Sequence, residues 1–282
     1  MQREPAVAGR FYQARPEQLR QQIKECFAHQ LGVGQNVAPA TGRLLAFIAP
    51  HAGYMFSGPV ASHAFARMRV EKPQPTTLVL LGPKHTHHGA RFSVSAAASW
   101  KTPLGNLPVD QTLCRRLVAA VSELELDDGA HLYEHSLEVQ LPFAQYSLDN
   151  TPKIVPIAFA YDSFEEIASV AAAIGKVLAA EPEGSLCIVC SSDFSHDTPR
   201  DEAYRLDAEV IKKITSLDAR GFYNLIVSED RSVCGLMPIT ALLVMLHPMK
   251  VAARLLKYAT SMDVMDHDRG VGYAAIIFEE NG

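Results

Sequence analysis

Eleven histidines are spread through the 282 residues, and several of them open short polar turns directly after apolar runs. Three such turns stand out: Pro50-His51-Ala52-Gly53, Gly82-Pro83-Lys84-His85 and Ser192-Asp193-Phe194-Ser195-His196. Two neutral imidazoles with a third, anionic ligand make a usual site for Zn²⁺, Fe²⁺ or copper, whereas Mg²⁺ and Ca²⁺ prefer oxygen donors. The chain offers several third ligands: Cys234, Asp193, Glu134 and Glu138. Cys234 lies in Ser232-Val233-Cys234-Gly235-Leu236-Met237-Pro238, just ahead of a helix expected to start near Pro238. A helix N-terminus lowers a thiol's pKa and favours thiolate. Each feature also has an ordinary reading. A histidine in a strand-end turn is most often a structural hydrogen-bonding residue, and a cysteine a small buried one.

The stretch Tyr133-Glu134-His135-Ser136-Leu137-Glu138 adds two carboxylates four residues apart. They share a face if a helix begins this early. With Ser136 as N-cap instead, Glu134 and His135 stay on the preceding loop. On either reading His135 reaches the rim where the three turns meet. His87 and His88 extend the His85 turn and offer further ligands. Cys187 and Cys190 have a Cys-x-x-Cys spacing, but within a strand they point to opposite faces, which speaks against a joint site. His29, His63, His131, His247 and His267 have no convergent neighbours, and Asp263, Asp266 and Asp268 read as a solvated loop.

The elements between these turns must position the groups they carry. Unbroken apolar runs at Leu44–Ala49, Thr77–Leu81, Ile154–Ala158 and Leu186–Cys190 read as buried strands, with Pro156 limiting how centrally the third can pair. Helical spacing falls at Pro16–Gln30, Gly58–Arg69, Gln111–Val121, Ser136–Ser147, Phe164–Ala180, Arg200–Thr215, Asp218–Ile226 and Pro238–Leu246. Ala253–Thr260 and Gly272–Phe278 read as a closing hairpin or edge pair. The expected fold is α/β, a single layered domain over residues 1–282 with a mostly parallel or mixed central sheet flanked by helices. In open α/β sheets ligands bind beyond the carboxyl ends of the strands. If the strands are parallel neighbours, His51, His85 and His196 converge there.

Charge narrows the partners. Lys plus Arg number 26 against 31 Asp plus Glu, a net charge of −5. Without a basic patch, neither duplex nucleic acid nor an anionic membrane surface is the main partner. Five scattered cysteines suit a reducing compartment better than a disulfide framework. No apolar run reaches the ~18 residues of a membrane span, and the N-terminus lacks a signal-peptide core. The expected location is cytoplasmic.

Six motifs in order carry a family resemblance: Arg3-Glu4-Pro5-Ala6-Val7-Ala8-Gly9-Arg10-Phe11-Tyr12, Ala49-Pro50-His51-Ala52-Gly53-Tyr54, Leu81-Gly82-Pro83-Lys84-His85, Glu134-His135-Ser136-Leu137-Glu138, Ser191-Ser192-Asp193-Phe194-Ser195-His196 and Val233-Cys234-Gly235. The chain resembles the Memo family, whose bacterial and archaeal members are called AmmeMemoRadiSam system protein B. The resemblance implies a fold similar to LigB-type class III extradiol dioxygenases, non-haem iron enzymes that open catechol rings. It implies His51, His85 and Cys234 as metal ligands, His196 as acid/base, and Asp193 and His135 lining the same pocket. The cofactor implied is a divalent or redox metal ion, iron or copper favoured and zinc possible. The partners implied are a radical SAM protein and an AMMECR1-like protein, besides a small-molecule or peptide ligand. One departure matters. Those dioxygenases use two histidines and a carboxylate, and Cys234 stands at the third position. Two functions therefore stay open: a metal-dependent oxidoreductase, and a metal-, peptide- or protein-binding module that keeps the pocket without turnover.

Overall fold

Apolar runs without polar alternation are buried on both faces and pair as parallel strands. In the computed structural model, which describes residues 1–280, four such runs form the centre of an eight-stranded sheet. The strands are β1 (Gln2–Arg3), β2 (Leu44–Ala49), β3 (Thr77–Pro83), β4 (Phe92–Val94), β5 (Ser99–Thr102), β6 (Gly105–Pro108), β7 (Leu124–Leu126), β8 (Lys153–Phe159), β9 (Leu186–Ser191), β10 (Val251–Thr260) and β11 (Gly272–Glu280). The helices are α1 (Pro16–Ala28), α2 (Tyr54–Arg69), α3 (Gln111–Ala120), α4 (Gln140–Ser147), α5 (Phe164–Leu178), α6 (Arg200–Thr215), α7 (Ala219–Ser228) and α8 (Leu236–Leu246).

The large sheet runs β10-β11-β2-β9-β3-β8-β4-β7, and β1, β5 and β6 make a small second sheet. β2, β9, β3 and β8 are mutually parallel. β10, β11 and β4 run antiparallel to their inner neighbours, so the sheet is mixed at its margins. The chain leaves β2 through α2 and skips one place before β3; β9 later fills the gap. That order sets the loops after β2, β9 and β3 side by side. α1, α2 and α4 pack together beside β2, and α8 packs over β9, β3 and β8 with α5 and α7 against it. The buried apolar residues join in one connected core. Among the described residues no helix is long and apolar enough to cross a membrane.

Three expectations need correction. α2 begins at Tyr54 rather than Gly58 and runs through Pro59. The lost hydrogen bond is tolerated because the helix is buried along nearly its whole length. α4 begins at Gln140, not Ser136, and Ser136 is no cap: its hydroxyl donates to the Pro83 carbonyl at 3.0 Å. Glu134 and Glu138 consequently share no helix face and serve different partners. Pro156 lies in an interior strand after all, because β4 pairs only with Ile157–Phe159 and leaves Pro156 unopposed by a ladder on that side.

Candidate metal centre

His51, His85 and Asp193 each stand two residues past the end of a strand, β2, β3 and β9 respectively. Ala49 pairs with Ser191, and Leu81 with Cys190, so the ends of β2 and β9 are level and β3 runs one residue further. The His51 and His85 ring centroids lie 5.3 Å apart. The turn ahead of α8 brings Cys234 Sγ to 3.2 Å from His51 Nε2. The ligating atoms of His51, His85 and Cys234 all fall within 4.8 Å of one another.

Hydrogen bonds decide which imidazole nitrogen is free. Ser191 Oγ lies 2.7 Å from His51 Nδ1 and donates its only hydrogen to the Ser136 carbonyl at 2.7 Å. It also accepts from Gln140 Nε2 at 3.0 Å. With its hydrogen already placed, the hydroxyl can only accept from His51, so Nδ1 carries the proton and Nε2 points a lone pair toward Cys234. At His85 the Glu134 carboxylate does the same work, with Oε1 3.0 Å from Nδ1 and Oε2 taking the His85 amide at 2.6 Å. A carboxylate or hydroxyl behind each ring is the arrangement that fixes a ligating histidine and raises its basicity.

Glu134 is fully buried and accepts two more main-chain hydrogen bonds, from His135 and Ser136, at 2.9 and 2.8 Å. Burial works to raise its pKa, but the bonds from His85 and Ser136 outweigh it and hold the carboxyl well below the usual range. Its Oε1 takes three of these bonds and Oε2 one, so it orients His85; with His85 and His135 it also forms a second group whose ligating atoms lie within 4.8 Å of one another. Glu138 is not at the site: its carboxylate pairs with Arg3. Burial raises the Asp193 pKa to about 6, against the hydrogen bond it accepts from the His51 amide at 2.8 Å. The Asp193 amide in turn donates to Cys234 Sγ at 3.1 Å.

Cys234 differs from its expected electrostatics. Burial, then the nearby Asp193 carboxylate, push the thiol up, whereas the approaching helix end was expected to pull it down. α8 starts at Leu236, two residues further on. A bound cation reverses that balance, since a coordinating thiol loses its proton outright.

Beside His85 and Cys234, with His51 buried behind them, opens a cleft of about 520 Å³, lined also by His196, Phe159, Tyr161 and Met237 among others. His196 is exposed, and its Nδ1 lies 3.1 Å from the Ser232 carbonyl. A carbonyl only accepts, so Nδ1 is the donor there and Nε2 is the ring nitrogen left without that contact. His135 stacks on His85 at 4.8 Å between centroids and meets Phe11 edge-on at 4.9 Å. Burial lowers its pKa. The structure thus brings His51, His85, Cys234, Asp193 and His135 together and sets His196 on the cleft wall. Ser191 and Gln140 escaped the sequence reading. Ser191 closes a predicted strand, a visible place, while nothing in sequence marks Gln140.

Fold and site define a mixed α/β protein with a histidine–histidine–cysteine cluster at the carboxyl rim of its parallel strands. The chain belongs to the Memo-like protein family, whose sequence model matches residues 3–277. Among its relatives, a MEMO1 family protein of Methanopyrus kandleri is 42% identical over 284 residues, covering 99% of each chain. A MEMO1 family protein of Sulfurisphaera tokodaii is 38% identical over 283 residues, again with 99% of each covered. The crystal structure of an uncharacterized protein from Escherichia coli K12 shares the fold, with a TM-score of 0.55 and 17% identity over 83% of this chain and 99% of that one.

Proposed function

We propose that this chain holds one metal ion through Nε2 of His51, Nε2 of His85 and Sγ of Cys234, and acts as a metal-dependent oxidoreductase on a small molecule in the cleft. The observation that supports this most is the pair of oriented rings, each with its Nδ1 engaged from behind, with His51 Nε2 3.2 Å from the one thiol and a ligating atom of each of the three side chains within 4.8 Å of the others. Two nitrogens and a sulfur favour iron or copper, with zinc possible, over magnesium or calcium. When bound, such an ion supplies Lewis acidity and, for iron or copper, one-electron chemistry. The chain's own residues do the rest. His196 accepts or returns a proton at Nε2 on the cleft side, the task imidazole suits best near neutral pH. Asp193 braces the His51 and Cys234 segments through its carboxylate and amide. His135 walls the cluster against Phe11.

Anaerobic purification followed by elemental analysis tests the site. About one equivalent is expected in the wild type and far less in His51→Ala, because removing a ligand of three leaves too few donors. Metal well below one equivalent in both chains, even after reconstitution, overturns the reading. The thiol favours a second reading, a binding module, since Cys234 stands where dioxygenases of the resembling class carry a carboxylate and is open to oxidation by O₂. Oxygen uptake by the metal-loaded chain with a panel of diols separates the two: turnover supports the oxidoreductase, inertness the module. The radical SAM and AMMECR1-like proteins implied by the resemblance are the partners to add when the isolated chain is inert.

A further inference from the structure

Two buried charges stand outside this chemistry. Arg3 and Glu138 pair at 2.7 Å with side chains 4% and 0% exposed. A buried ion pair is weak support for stability, since desolvation offsets its Coulomb attraction. Where its remaining hydrogen bonds go is more telling. Arg3 Nε donates to the His131 carbonyl at 2.8 Å, and Nη2 to the Glu134 carbonyl at 2.7 Å. The guanidinium carbon sits 4.2 Å from the Trp100 ring centroid, which fixes its plane. One rigid fork therefore grips the 131–138 turn at three places. From the other side, Glu138 accepts from the amides of Ala6 and Val7 at 2.7 and 3.0 Å and from Tyr12 Oη at 2.6 Å. That holds residues 6–12 in place. Within them, Phe11 meets His135, and its carbonyl accepts the Tyr54 amide at 2.8 Å, just beyond the His51 turn.

We propose that Arg3 and Glu138 are positioning residues for the His51–His85–Cys234 centre: their pair locks the turn that aims the Glu134 carboxylate at His85. The line of action runs from the Arg3 fork to the Glu134 main chain, then through the Glu134 carboxylate to the His85 Nδ1 proton. The direction of the Nε2 lone pair is its outcome. Lysine cannot replace the fork, because a point charge on a flexible stem does not span several acceptors in one plane. This inference rests on the metal reading above, and its test is built to fail separately.

The full chain is titrated anaerobically with Co²⁺, followed by the thiolate-to-cobalt absorption, for the wild type, Arg3→Met, Arg3→Lys and Glu138→Gln. The same metal-free proteins are read by ¹⁵N NMR for the His85 tautomer. Glu279→Gln, at the opposite end of β2, serves as a comparison that loses stability without touching the turn. The expected result is Co²⁺ affinity weakened about tenfold in Arg3→Met and Glu138→Gln, as for removal of a group that orients a ligand. A rise in the Nε2-protonated form of His85 should accompany it. Arg3→Lys should resemble Arg3→Met, and Glu279→Gln the wild type. Wild-type affinity or a wild-type His85 tautomer in folded Arg3→Met overturns the proposal. If Arg3→Met does not fold, Tyr12→Phe, which removes one bond to Glu138, is judged by the same two readouts. A wild type that takes up no Co²⁺ while Arg3→Met still shifts the tautomer sinks the metal reading and leaves the positioning role standing.

Discussion

A hydroxyl has one hydrogen to give, and Ser191 gives it to the Ser136 carbonyl. Everything else that approaches Ser191 Oγ must donate, which is how a residue with no ligating role sets the tautomer of His51. Ser191→Ala removes that acceptor. The His51 ring is then free to protonate Nε2, the nitrogen needed for a metal, and metal affinity should fall about tenfold or more. Stability should fall by about 1–3 kcal/mol as well, because the buried Ser136 carbonyl keeps only the longer bond from Gln140 Nε2 and that amide loses its Ser191 acceptor. Isothermal titration with Zn²⁺ and denaturant unfolding check the two halves; unchanged affinity in a destabilised chain would mean that Ser191 only packs. His51 and His85 were legible as candidates because residue type and strand-end position carry the signal, Cys234 because it precedes a helix, and the three were joined as one set by the family resemblance. Ser191 and Gln140 were not, since what they do depends on which atom each hydrogen is aimed at. The rise of the Cys234 pKa is hidden in sequence for a related reason: helix position is visible there, and burial is not.

At the scale of elements, the long strands were legible because each is a continuous apolar run, and their order was not, because β9 enters between β2 and β3 from far along the chain. β1, β4, β5, β6 and β7 have two to four residues each, too few for any period to show. The early start of α2 is a case of packing overriding local preference, and Gly58 shows why. A Cβ at Gly58 would stand 2.4 Å from Cys26 Sγ of α1. Glycine is the residue that lets the two helices close there, which matters because α2 continues directly from the His51 turn. Gly58→Ala should therefore destabilise by about 1–3 kcal/mol through overpacking, despite alanine's better helix propensity. Cys26→Ala in the same chain should recover part of the loss. A double-mutant cycle in urea reads this as a coupling between the two sites. Additive effects would show that the glycine acts through the backbone and not through the contact.

Across the whole molecule, the end of the sheet remote from the site is tied down by one carboxylate. Glu279 of β11, 2% exposed, accepts from Arg67 Nε of α2 at 2.8 Å and from Thr41 Oγ1 at 2.6 Å. It lies beside Leu44, the first residue of β2, a strand length or about 17 Å from the His51 turn. Burial works to raise the Glu279 pKa, but the bonds from Thr41 and Arg67 outweigh it and leave the group lowered. A carboxyl lowered in the fold binds protons more readily once unfolded, so its contribution is complete above the ordinary glutamate range near ~4.3 and fades as pH falls through the folded value. Glu279→Gln removes that contribution. At neutral pH it should cost up to about 3 kcal/mol, the low end for breaking a buried pair, because Glu71 still holds Arg67 at 2.5 Å. Below pH 4 the gap between variant and wild type should narrow, since the wild-type carboxyl is being protonated too. Urea unfolding at steps from pH 7 to pH 3 measures that gap directly. A gap that stays constant with pH would assign the cost to shape alone, and a gap that widens toward acid would reverse the sign of the argument.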